Sequence, residues 1–227
     1  MSKVAVLFTG GKDSALALHK AVEEGLDVSV LVSIIPHYDY SPLYHRPFFE
    51  VLKCQAQALE LPLESVGVCS ESAERSALRW VLERVRDKYG VRVLVVGAIK
   101  SGYQLKAFGE VARSAGLSVY APLWGVPEES YLDALIDRGL SFMLISVTSM
   151  GIPLDLLGRV VTREDVARLK KLAAKYGFNL SFEGGEAETL VVDAPLFKYA
   201  VSLKGYRVVL SEFEGRYVIS KCSLVKK

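Results

Sequence analysis

The stretch that most limits how this chain can fold is its first one. The apolar run "VAVLF" (Val4–Phe8) breaks into Thr9, Gly10, Gly11, Lys12, Asp13 and Ser14, and an Ala/Leu-rich run follows. That order reads as buried strand, tight turn and helix. Gly10 and Gly11 let the backbone turn sharply and bring bare N–H groups against a ligand. The helix N-terminus behind them adds its dipole. Thr9 and Ser14 supply hydroxyls and Lys12 a positive charge. The spacing is neither G-x-x-x-x-G-K-[ST] nor G-x-G-x-x-G. Asp13 is the residue that discriminates, because a carboxylate beside polyphosphate is repulsive unless a divalent cation lies between them. Mg2+ characteristically combines a carboxylate with phosphate oxygens, so the pattern points to a Mg2+–nucleotide rather than a simple anion. The plainer alternative is that Asp13 or Ser14 only caps the first helix.

Strand–helix alternation continues from there. Strands are expected at Lys3–Phe8, Asp27–Ile35, Leu63–Val66, Arg92–Val96 and Ser118–Ala121, with helices at Asp13–Glu24, Pro47–Leu59, Glu71–Tyr89 and Gln104–Ala115. The strands are nearly continuous apolar runs, as in a parallel sheet covered on both faces. The fold class is therefore α/β: a doubly wound, mainly parallel, Rossmann-like sheet with right-handed crossovers. Ligands of such sheets sit at the carboxyl ends of the strands. Those ends, Thr9–Lys12, Ile35–His45 and Gly97–Tyr103, are expected to converge.

After Gly125 the pattern changes. A helix near Glu128–Arg138 precedes the apolar strand "SFMLISVTS", and a second helix opens at Thr162 with a capping box and stops at Gly177. An acidic Gly-Gly turn ahead of a strand follows, then a hairpin of Tyr206–Glu212 with Arg216–Cys222 through Glu214 and Gly215. This describes a smaller α+β domain over residues 126–227, after a nucleotide-type domain over residues 1–125.

Composition removes several classes. The net charge is +2 and no long basic run precedes Lys226, so no strong nucleic-acid signature is present. No apolar run is long enough for a membrane span, and no cleavable leader is read. The three cysteines, Cys54, Cys69 and Cys222, are widely spaced and odd in number. They suit buried thiols in a reducing cytoplasm better than a disulfide framework or a zinc site.

The segment "EGGEAET" (Glu183–Thr189) places Glu183, Glu186 and Glu188 around Gly184 and Gly185. Carboxylates so placed repel one another and invite a cation; the alternative is a solvated acidic turn.

"TGGKDS" resembles the S-G-G-x-D-S signature of the PP-loop ATP pyrophosphatases, with threonine for the first serine. The resemblance implies ATP and Mg2+ as cofactors. It implies cleavage between the α and β phosphates, adenylation of a substrate, and displacement of AMP by a nucleophile. Three further stretches, "GAIKSGYQ" (Gly97–Gln104), "APLWG" (Ala121–Gly125) and "EGGEAETLVVDAPLF" (Glu183–Phe197), follow in order. Together with "TGGKDS" they resemble the diphthine–ammonia ligase family over nearly the whole chain, and the E-G-G-E-x-E-T element is the most specific piece. The resemblance implies a cytoplasmic ligase that adenylates the carboxylate of diphthine, a modified histidine of elongation factor 2, and amidates it with ammonium.

By the same resemblance ATP is held by Thr9, Gly10, Gly11, Lys12, Asp13, Ser14, Gly97, Ala98, Ile99 and Ser101, with Asp13 on the metal. The substrate falls to His45, Tyr103, Gln104, Glu183, Gly184, Gly185, Glu186, Glu188 and Thr189. Lys12, Asp13 and Glu186 are catalytic, with Glu186 assigned to the acceptor or to ammonium. The chain departs from the family where an acidic residue is usual and Gly102 stands, and where basic residues are usual and Leu105 and Ala107 stand. Those departures leave open a paralogue with another acceptor, a tRNA base or a small metabolite. A tRNA-modifying relative would be expected to carry a catalytic cysteine pair or C-x-x-C, which this sequence lacks. A non-catalytic ATP-binding module and a homodimer also stay open.

Overall fold

Strand β1 (Lys3–Leu7) lies at the centre of a five-stranded sheet because every residue of it after Lys3 is buried. Its neighbours are β2 (Asp27–Pro36) and β4 (Val93–Val95), with β3 (Leu63–Val68) outside β2 and β5 (Ser118–Tyr120) outside β4. All four pairings are parallel. The order β3-β2-β1-β4-β5 is doubly wound and reverses between β1 and β4, where such sheets open a crevice. This computed structural model describes residues 2–38, 41, 44 and 48–227. The chain divides into two compact units, Met1–Trp124 and Gly125–Lys227.

Right-handed crossovers put α1 (Lys12–Glu23) and α2 (Phe49–Leu59) on one face of the sheet and α3 (Glu71–Tyr89) and α4 (Gly102–Ser114) on the other. The second face has one apolar layer. Ala5, Leu7, Val30, Val32 and Ile34 meet Leu78, Val81, Leu82 and Val85 of α3 and Ala107, Phe108, Val111 and Ala112 of α4. Ala107 is fully within that layer and Leu105 packs against it. These two departures from the family pattern therefore lie where an apolar side chain packs. Gly102 opens α4 with nothing within 4 Å of a Cβ built on it.

The second unit has an antiparallel sheet in the order β7-β6-β9-β8. Its strands are β6 (Ser141–Val147), β7 (Ala187–Asp193), β8 (Tyr199–Val209) and β9 (Gly215–Lys226), with α5 (Glu128–Asp137) and α6 (Arg163–Tyr176) alongside in the chain. Most element ends fall within two residues of expectation. The hairpin is the exception: β8 begins at Tyr199 rather than Tyr206, and its first half pairs with the end of β9, Tyr199 opposite Lys226. Tyr199, Val201 and Leu203 alternate there with Ala200, Ser202 and Lys204, a half-buried strand pattern that extends the hairpin beyond its expected start.

The cysteine expectation also fails. Cys69 is an exposed free thiol rather than a buried one. Among the described residues no helix is long and apolar enough to cross a membrane.

Helix α6 carries the expected caps. The Thr162 hydroxyl accepts from the Asp165 N–H, the Asp165 carboxylate accepts from the Thr162 N–H at 2.9 Å, and Gly177 closes the helix at φ 76°. Arg159 donates two further hydrogen bonds to Asp165, at 2.6 and 2.8 Å. These contacts, the Arg159 bonds first, hold the Asp165 carboxyl at about 2 against the opposing effect of burial. A folded-state value below the ordinary one means stability that is present above pH 4 and is lost as the pH falls from about 4 towards 2. Asp165→Asn is expected to lower stability by about 2 kcal/mol at pH 7, with the gap closing across that acid window. Urea unfolding of both proteins as a function of pH measures it.

Candidate active site

The site of the first unit is built from the loops that leave β1 and β4. Gly10 has φ +78°, and a Cβ there would lie 2.3 Å from Gln55 Oε1. Glycine is thus required twice, by conformation and by space. The Gln55 amide of α2, fully buried, donates to the Gly10 carbonyl at 2.9 Å and pins the turn from behind. Gln55 lies on the buried stripe of Val51, Leu52, Ala56 and Leu59, and a polar residue on that stripe is the signal by which sequence reading could have found it.

Helix α1 starts at Lys12 with Gly11 as its N-cap, and no side chain caps it. Neither Asp13 nor Ser14 plays the capping role that was the plainer alternative. The Ser14 hydroxyl instead closes the loop, accepting from the Thr9 N–H, contacting the Thr9 hydroxyl and donating to the Gly11 carbonyl, each at 3.2 Å. Lys12 is 2% exposed and donates to both oxygens of Asp13, at 2.8 and 3.0 Å. The Asp13 side chain keeps 26% exposure. The cradle so formed holds one cation and one anion in contact at an uncapped helix start.

The β4–α4 loop lies on this cradle. A Cβ at Gly97 would sit 2.8 Å from the Asp13 carbonyl carbon and 2.9 Å from the Ser14 nitrogen. The two loops thus meet backbone to backbone, as expected of strand ends at the switch point. Ala98 and Ile99 bury their side chains, at 4% and 0% exposure, so a ligand there meets their backbone. Ser101 caps α4 by accepting from the Gln104 N–H at 3.3 Å, and Tyr103 in the first turn is 55% exposed. His45 lies outside the described residues.

In the second unit the Gly-Gly turn precedes β7. Thr148, just past β6, holds it by donating its hydroxyl to the Gly185 carbonyl at 2.6 Å and its N–H to the Glu186 carbonyl at 3.0 Å. Phe182 and Gly185 have φ of 59° and 85°, and Phe182 is buried. Glu186 folds back over the turn: a Cβ on Gly184 would lie 2.7 Å from its Oε1. That oxygen accepts from the Asn179 N–H at 3.2 Å, and Oε2 is buried with no hydrogen-bond partner. A carboxylate oxygen left so is costly and suits a donor or cation brought by a ligand. Glu188 and Thr189 lie within β7, opposite Ser146 and Leu144. Among the described residues no three acidic, histidine or cysteine side chains could hold a metal. Of the three carboxylates at this turn, Glu186 is the one with a buried oxygen that has no hydrogen-bond partner.

The parallel switch-point sheet with a glycine turn and uncapped helix defines the first unit as a Rossmann-like α/β domain. The family follows from comparison with known proteins. The diphthamide synthase N-terminal domain matches residues 2–119 and its C-terminal domain residues 127–225, so the chain belongs to the diphthamide synthase family. A Homo sapiens diphthine–ammonia ligase is 29% identical over 92% of this chain and 85% of that protein. A Schizosaccharomyces pombe diphthine–ammonia ligase is 31% identical over 91% of this chain but only 37% of its own length. Among solved structures, a predicted subunit of tRNA methyltransferase from Methanocaldococcus jannaschii shares 18% identity over 86% of this chain and 98% of that one, with a TM-score of 0.43. A likeness that low carries no argument.

Gly97→Ala and Gly102→Ala form a matched pair for the loop contact. The first is expected to cost about 1–3 kcal/mol by driving a methyl into the Asp13 backbone. The second is expected to be neutral or to stabilise by up to about 1 kcal/mol, because its site is open and helical. Thermal unfolding of both variants checks the contrast.

Proposed function

We propose that the protein is an AMP-forming, ATP-dependent amide ligase that converts the diphthine of elongation factor 2 to diphthamide with ammonium. The observation that carries this is the cradle: a glycine turn that excludes side chains, an uncapped helix start, and a partly exposed carboxylate beside a buried lysine. Family membership and relatives named diphthine–ammonia ligase support the acceptor. The cytoplasm, where translation takes place, is the compartment that acceptor requires.

In this reading the β- and γ-phosphates lie against the backbone of Gly10 to Ser14, as anions do at helix N-termini. Thr9 and Ser14 offer hydroxyls at the rim, and the backbone of Gly97 to Ile99 forms the other wall. Ser101 and Gln104 hold the start of α4 behind that wall. The residues fit a Mg2+–nucleotide, because a single carboxylate is enough where phosphate oxygens complete the coordination. Asp13 would hold the ion, which supplies charge neutralisation to the phosphates. Lys12, now on Asp13, is positioned to transfer its charge to the leaving pyrophosphate. The acceptor carboxylate oxygen bonds to the α-phosphorus as the bond to pyrophosphate breaks. Ammonium gives up one proton to solvent, the resulting ammonia forms the C–N bond, AMP leaves with the C–O electron pair, and the nitrogen loses a second proton to solvent. The acidic turn, with Glu183, Gly184, Gly185, Glu188 and Thr189 shaping it, is assigned to the acceptor. Its quaternary ammonium suits the charge of Glu186.

Asp13→Ala is expected to abolish Mg2+-dependent pyrophosphate release in a folded protein. Glu186→Gln is expected to keep ATP affinity within about twofold while losing at least a hundredfold in amide formation, the order of one strong transition-state contact. The decisive assay offers the protein ATP, Mg2+, ammonium and elongation factor 2 bearing diphthine, with the factor weighed by mass spectrometry. AMP formation that ignores diphthine would refute the acceptor, and ATP retention without AMP would refute the ligase. Equal loss of ATP binding in Glu186→Gln would move the acidic turn into the nucleotide site.

A further inference from the structure

The first unit has a second polar recess at the same carboxyl edge of its sheet. It measures about 520 Å3 and is lined by Ser70, Glu71, Ser72, Glu74 and Arg75 at the start of α3 and by Tyr103 in the first turn of α4. Glu74 has 0% exposure. Its Oε1 accepts hydrogen bonds from the hydroxyls of Tyr38 and Ser41, which follow β2, while its Oε2 is buried with no hydrogen-bond partner. The Tyr44 hydroxyl, on a residue 4% exposed, is likewise buried and unpartnered. Burial and then the charge of Glu74 push the Tyr44 phenol upward, so it stays protonated and keeps its lone pairs as acceptors.

The lining leaves one requirement unmet. Two carboxylates, Glu71 and Glu74, face a single guanidinium, and Arg75 is engaged elsewhere, at 2.9 Å from Glu110. A buried carboxylate oxygen beside the positive end of α3 needs a donor, and a charged donor best offsets its desolvation. Among the described residues none supplies it.

We propose that this recess is an ammonium site, with Glu74 Oε2 as the anionic acceptor. Ammonium brings charge and four N–H donors in one small ion. A quaternary ammonium has no N–H and would leave Oε2 unpaired. Potassium has charge but no proton to donate. Mg2+ needs near-octahedral oxygen ligation, for which no group of three acidic, histidine or cysteine side chains exists among the described residues. The recess is linked to the cradle by one loop. Gly97 touches the Asp13 backbone and Tyr103 lines the recess, and six residues of chain span at most about 20 Å. The inference rests on the reading above in taking ammonium as the second substrate, and it leaves Glu186 to the acceptor alone.

The test titrates the whole chain with ammonium, potassium and tetramethylammonium chlorides at constant ionic strength. Apparent Tm and the line width of 15N-ammonium are the readouts. Ammonium alone is expected to raise the Tm and to broaden. Glu74→Gln, which keeps an acceptor for Tyr38 and Ser41, is expected to weaken apparent ammonium affinity at least tenfold and to leave ATP affinity unchanged. An equal response to potassium or tetramethylammonium overturns the assignment, as does wild-type ammonium affinity in the folded variant. If Glu74→Gln does not fold, the three-salt comparison on the unaltered chain decides. None of this needs elongation factor. Ammonium-specific binding without diphthine-dependent AMP formation keeps the site and removes the ligase reading. Diphthine-dependent AMP formation with an unchanged KM for ammonium in Glu74→Gln keeps the ligase and removes the site.

Discussion

The contact on which the first unit's chemistry depends is backbone against backbone. Gly97 lies on the Asp13 carbonyl and the Ser14 nitrogen, and Gly10 lies under Gln55, at distances where a Cβ would have to displace something. Neither contact contributes much apolar area. Their effect is to remove side chains from the place where strand β1 ends and helix α1 begins, so that a ligand meets peptide groups and the helix dipole directly. The apolar layers of the sheet fix where those loops start, and the glycines fix how near they come.

Three carboxylates of the chain stand in different states of completion. Asp13 is paired with Lys12 and partly exposed, which suits a group that exchanges partners when a polyphosphate arrives. Glu186 and Glu74 each satisfy one oxygen within the protein and leave the other buried without a partner. Asp165 shows the contrast: four donors surround it, its carboxyl is held at about 2, and it serves only the start of α6. A fully satisfied acid is structural. An acid with one orphaned oxygen is waiting for something the chain does not supply.

Much of this could be read from residue order. "VAVLFTGGKDS" specifies strand, turn and helix because each piece is local: apolar continuity, two glycines, an Ala/Leu helix. Glu71–Tyr89 was read with both ends right because its stripe of Leu78, Val81, Leu82 and Val85 ends at a glycine that closes the helix in the left-handed region. The Thr162 capping box was equally local. The first half of β8 is legible in the alternation of Tyr199, Val201 and Leu203 with Ala200, Ser202 and Lys204, but its register against the end of β9 is decided only in the fold.

Residue order alone thus settled the α/β class, the glycine cradle and the acidic turn, because local propensity and spacing encode them. Folding decided what each polar group meets. It turned Lys12 onto Asp13, drew Gln55 under Gly10, and curled Glu186 over Gly184. It also buried Glu74 among hydroxyls from another loop. These partnerships join residues as many as 45 positions apart, such as Gly10 and Gln55. They exist only because burial withdraws water and makes every donor and acceptor find, or lack, a partner within the fold.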